Sequence, residues 1–115
     1  MKKARRHGRN APWLAVVEAA ISSVTAVAVA QMRSPRRGPQ RVARARQLAA
    51  YVGHVGSRVP IAEVAAALGR DRSTLSHACR AVEQRRDDPS FDAAVTLLER
   101  GLGELSFLVR MEGRR

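Results

Sequence analysis

Residues 61–80 read Ile61-Ala62-Glu63-Val64-Ala65-Ala66-Ala67-Leu68, then Gly69-Arg70-Asp71-Arg72-Ser73-Thr74-Leu75-Ser76-His77-Ala78-Cys79-Arg80. Pro60 suits the opening of a helix and Gly69 its end. Asp71 stands where a carboxylate caps a second helix, expected over residues 72–86. Leu75, Ala78, Cys79 and Val82 keep helical spacing along it. Two helices joined by a tight turn, with a polar tip on the second, form a helix-turn-helix over about residues 60–86. In that arrangement the second helix enters a DNA major groove by its N-terminal residues.

The rest of the 115-residue chain reads as more helices of one small all-α domain. Aromatic residues make up 3% of it, so the core falls to Val, Leu, Ile and Ala. Pro12 opens a helix to about Thr25, with Leu14, Val17, Ile21 and Val24 as its apolar stripe. Val27, Val29 and Met32 follow as a short packed turn. Two prolines and a glycine make residues 34–39 a basic loop. A helix over residues 40–54 carries Val42, Ala45, Leu48, Ala49 and Val52 on one side and Arg41, Arg44 and Gln47 on the other. A final helix begins at Asp88-Pro89-Ser90, where Phe91, Val95, Leu98, Leu102, Leu105 and Val109 repeat at intervals of four and three. Gly101 and Gly103 suggest a weak point or bend in it. The expected layout is a disordered basic tail (1–10), the DNA-binding domain (11–105) and a C-terminal extension (106–115).

Residues 11–31 are mostly apolar behind a basic start, so a signal peptide or membrane span is an alternative. Glu18 inside the run, Ser22, Ser23, Thr25 and the amphipathic stripe favour a packed helix. No membrane partner is expected. The single Cys79 fits a reducing, cytoplasmic setting and a packing position rather than a nucleophile.

The formal net charge is +11 and unevenly placed. Residues 1–46 hold eleven Lys/Arg and one acid, a net +10. Residues 47–115 hold ten basic and nine acidic residues, a net +1. The excess, at residues 2–9 and 33–46, points to a polyanion such as DNA, RNA or an acidic membrane surface. No phosphate-binding loop, metal-ligand spacing or nucleophile–base set stands out, so neither an enzyme nor a cofactor is expected.

Residues 17–86 resemble domain IV, the DNA-binding domain, of the bacterial replication initiator DnaA. The family reads G-R-D-H-T-T-V-x-H-A-C-R where this chain reads G-R-D-R-S-T-L-S-H-A-C-R over residues 69–80. Arg44-Ala45-Arg46-Gln47 is similar to its R-P-R-Q, and Ser34-Pro35-Arg36-Arg37 to its S-K-R-R loop. The resemblance implies that Arg37 enters the minor groove, and that Arg46 and Gln47, with Arg44 nearby, face the DNA backbone. Ile61 and Ala62 match positions that touch thymine methyls. Asp71, Arg72 and Ser73 occupy the base-reading tip, Thr74 and His77 match phosphate contacts, and Arg70 before them is a further DNA-binding residue. Independently, a carboxylate can accept from cytosine N4 and an arginine can donate twice to guanine.

Three departures imply a target other than the standard initiator box. Arg72 replaces a His, Ser73 lacks the methyl of a Thr, and one Gly is missing before Arg70. The chain has no ATPase motif, and small free-standing proteins with this domain resemble those of alphaproteobacteria. Some of these activate or co-activate gene-transfer-agent clusters. The leading expectation is a sequence-specific double-stranded DNA-binding transcription regulator on the nucleoid, an activator or co-activator. Leu105, Phe107, Leu108 and Val109 are then a contact for RNA polymerase, a protein co-activator or a second copy as homodimer. The alternatives are a replication modulator competing at initiator boxes and a protein adaptor without specific DNA binding.

Overall fold

The structure is a computed structural model that describes residues 11–112. The expected basic tail (1–10), the last three residues and the side chain of Val109 lie outside the described residues. The chain forms α1 (Pro12–Thr25), α2 (Val29–Arg33), α3 (Gln40–Tyr51), α4 (Ile61–Leu68), α5 (Arg72–Arg85) and α6 (Pro89–Glu112). A single π-helical turn, Val52–Gly56, extends α3. No strand occurs among the described residues, so the fold is all-α.

Pro12 occupies the first turn of α1, where its missing N–H costs nothing. Leu14, Val17 and Ile21 are buried as their spacing predicts, but Val24 is 61% exposed. The reason lies at the end of the helix. The Thr25 hydroxyl donates back to the Ile21 carbonyl at 2.7 Å, and Ala26 turns the chain with φ 62°. Val27, beyond the turn, is fully buried in the core instead. The packed turn expected next is a one-turn helix, α2, with Met32 buried.

α3 buries Val42, Ala45, Leu48 and Ala49, and Val52 beyond it, as the periodicity predicts. Its α-helical part ends at Tyr51 rather than His54, because the backbone widens into the π-helical turn. Glycines make that turn useful. A side chain on Gly53 would meet the Trp13 ring, and one on Gly56 would meet the Glu99 backbone at 3.3 Å. The turn therefore lies directly against α6.

Between α4 and α5, Gly69 adopts φ 68° and returns its N–H to Ala66, while the Arg70 N–H bonds the Ala65 carbonyl. This left-handed cap is the stop that glycine permits without steric cost. One oxygen of Asp71 accepts the Thr74 backbone N–H at 2.9 Å and the Ser73 hydroxyl at 3.0 Å, starting α5. Leu75 and Val82 anchor α5 in the core. Cys79 is partly buried, and burial and the nearby Glu83 charge raise its thiol pKa, consistent with a packing residue.

Two apolar clusters build the interior. The larger joins α1, α2, α3, α5 and α6 around Val17, Ile21, Val52, Val82 and Leu102. The smaller seats the helix-turn-helix through Val64, Ala65 and Leu75, against Ala50 and Trp13. α6 runs without interruption through Gly101 and Gly103 to Glu112. The expected weak point is instead, at Gly103, a close approach: a Cβ there would lie 3.4 Å from the Gly56 carbonyl.

Candidate nucleic-acid interface

The C-terminal end of α2 leaves carbonyls without helical partners, and the basic loop after it has no ladder of its own. Arg46, on α3, supplies those partners. Its guanidinium donates to the carbonyls of Gln31 (2.9 Å), Met32 (3.1 Å), Ser34 (2.7 Å) and Arg37 (3.1 Å). That engages four of the five N–H donors an arginine carries. Burial and the charge of Arg70 pull the Arg46 pKa down.

Glu18, the acid in the basic half, is 4% exposed and is held by Arg33 through two hydrogen bonds, 2.9 and 2.6 Å. This pair raises the Arg33 pKa. Glu18 is thereby matched by Arg33 rather than by the loop arginines.

A cleft of about 450 Å³ opens between the loop, α3 and the helix-turn-helix. Its walls bring together Arg37, Arg46, Gln47, Arg70, Thr74 and His77, six of the residues singled out from sequence. Leu14, Ala49, Ala50 and Leu75 form its floor. Arg37 is exposed on the loop side; Thr74 and His77 are exposed on α5. Asp71, Arg72 and Ser73 stand exposed at the tip of α5. The hydrogen bonds from Thr74 and Ser73 hold the Asp71 carboxyl below its usual pKa, so it is a fixed anionic acceptor.

The remaining sequence-selected residues lie outside the cleft. Ala62 is exposed on α4, while Ile61 is partly buried against the smaller cluster. Arg44 lies near Arg85, whose pKa is lowered by burial and by the Arg44 charge. Of the C-terminal apolar residues, Leu105, Phe107 and Leu108 are 47%, 56% and 51% exposed.

Sequence reasoning missed two arrangements. The Arg46 clamp was legible only as an unanswered question, namely what satisfies the carbonyls of a loop containing two prolines. The second is Arg86, which donates to Asp92 and Glu99, to the Thr96 hydroxyl and to the Tyr51 hydroxyl. It ties α5, α6 and α3 together behind the interface.

A family model described as the bacterial DnaA protein helix-turn-helix matches residues 15–82. The chain belongs to this family. The matched span runs from α1 into the last turn of α5 and takes in the loop, the clamp and the cleft lining except Leu14; α6 lies beyond it. No curated protein and no solved structure matches the chain. As a DnaA-type helix-turn-helix protein it is DNA-binding, with double-stranded DNA as its partner. Among the described residues, no helix is long and apolar enough to cross a membrane.

Proposed function

We propose that this DnaA-type protein is a non-enzymatic transcription regulator that reads duplex DNA in two grooves, acts on the nucleoid as an activator or co-activator, and needs no cofactor. One observation carries the reading: the basic loop and the exposed tip of α5 flank a single cationic cleft. A phosphate backbone passing between them meets Arg70, Thr74 and His77, while Arg37 reaches the minor groove and Asp71, Arg72 and Ser73 face base edges in the major groove.

A genome-wide map of bound DNA tests the proposal. The expected result is binding at promoters, with a motif distinct from the standard initiator box and altered expression of the adjacent genes on deletion. Binding confined to initiator boxes, with transcription unchanged, would instead identify a replication modulator. Absence of duplex affinity at moderate salt would leave an adaptor.

A further inference from the structure

α6 is amphipathic twice over. One side, with Val95 and Leu102 each 1% exposed, packs on the domain. The opposite side carries Ala93, Leu97, Arg100, Glu104, Phe107 and Met111, all exposed, at intervals of four, three, four, three and four. Leu97 is 70%, Phe107 56% and Met111 49% exposed, three large apolar side chains on one helix face. That is heptad spacing, as in a two-helix coiled coil, with a charged pair at its centre.

The order of residues names the occupant. Along the seam it runs apolar, apolar, basic, acidic, apolar, apolar. Laid antiparallel on a copy of itself about a twofold axis level with Leu102, it pairs Ala93 with Met111, Leu97 with Phe107, and Arg100 with Glu104. Each pair then occurs twice, as an isologous interface requires. Among the described residues, neither Arg100 nor Glu104 takes part in an ion pair within the chain. An arginine four residues before a glutamate is also the weaker orientation for a bond within one helix. Gly101 lies beside the axis, and a Cβ there would meet nothing within 4 Å, which lets a second helix approach closely. The seam spans about 27 Å of helix at 1.5 Å per residue. No residue of α6 lines the DNA cleft, so pairing leaves that cleft open.

We infer that the outer face of α6 is a self-association surface, on which a second copy of this chain packs antiparallel through Leu97, Phe107 and reciprocal Arg100–Glu104 pairs. A protein paired in this way presents two helix-turn-helices related by a twofold axis, which matches an inverted-repeat target.

Sedimentation of the full chain without DNA tests this independently of the DNA-reading proposal. A monomer–dimer equilibrium is expected. Leu97→Glu abolishes it, and circular dichroism shows the fold intact because the site is exposed. Arg100→Glu and Glu104→Arg each weaken it by at least about tenfold, and the double swap restores it. Mixed Leu97→Cys and Phe107→Cys chains, in a Cys79→Ser background, form a disulfide-linked dimer that neither forms alone. A chain monomeric up to about 1 mM overturns the inference, as does an open-ended assembly or a double swap that fails to restore pairing.

Discussion

Arg72 and Asp71 sit side by side at the tip of α5 but answer to different physics. Arg72 is exposed. It replaces the histidine usual in the initiator family, and its planar fork suits guanine O6 and N7. Arg72→Ala should cost about 1–3 kcal/mol on the preferred site and relax specificity at one base pair. Competition binding with specific and random duplex measures this; equal losses on both would refute base reading. Asp71 serves the helix as well as the DNA. Hydrogen bonds from Thr74 and Ser73 favour its ionised form and depress its pKa below the ordinary 3.8. A carboxylate depressed on folding contributes stability that is present above its unfolded pKa and lost as pH falls through the folded value. Melting temperatures of the native protein and Asp71→Asn, an uncharged residue that still caps, should therefore differ at neutral pH and converge below pH 3.8. A gap that stays constant through that range would refute the assignment.

Among the elements, the basic loop and α3 act as one unit through Arg46. If Arg46 only neutralised a phosphate, Arg46→Ala would weaken all sequences alike and lower the salt slope by about one. Its effect would then add to that of Arg37→Ala. With four carbonyls held by the guanidinium, Arg46→Ala should instead free the loop that carries Arg37. The two substitutions are then less than additive, with a coupling of about 0.5–3 kcal/mol. Footprinting should show minor-groove protection lost while major-groove contacts from α5 persist. Arg46→Lys should resemble the alanine variant, since an ammonium cannot reach four divergent carbonyls. This clamp marks the limit of sequence reading. Helix starts and stops were legible because Pro12, Gly69, Asp71 and Asp88 impose local geometry whatever surrounds them. The apolar face of α3 was legible because burial repeats with the helix. Val24 was misplaced because periodicity cannot see that the chain turns at Ala26 and buries Val27 instead. The Arg46 clamp and the Gly56–Gly103 approach join residues distant in sequence, and no local pattern encodes them.

At the scale of the whole molecule, the DNA-reading half and α6 are held together by Arg86. It follows the last turn of α5, with 19% of its side chain exposed. It bonds Asp92, Thr96 and Glu99 on α6 and the Tyr51 hydroxyl at the end of α3. The ion pairs and hydrogen bonds raise its pKa above the ordinary arginine value. An isolated surface ion pair contributes at most about 1 kcal/mol. A guanidinium shared among four partners at low exposure behaves differently, because removing it strips the carboxylates of Asp92 and Glu99, the latter 19% exposed, of their common partner. Arg86→Met should destabilise the fold by about 2–4 kcal/mol, toward the lower end of the buried-pair range in keeping with the residual exposure. Arg86→Lys should recover little of this, since one ammonium cannot replace a planar fork. Urea unfolding gives the midpoint shift. The partial rescue separates the two halves of the argument: Arg86→Met/Glu99→Gln removes one of the stranded charges and should return part of the loss. If Arg86→Met shifts the midpoint no more than a surface pair would, α6 is held by the packing of Phe91, Val95, Leu98 and Leu102, and the coupling between it and the DNA-reading half is apolar rather than ionic.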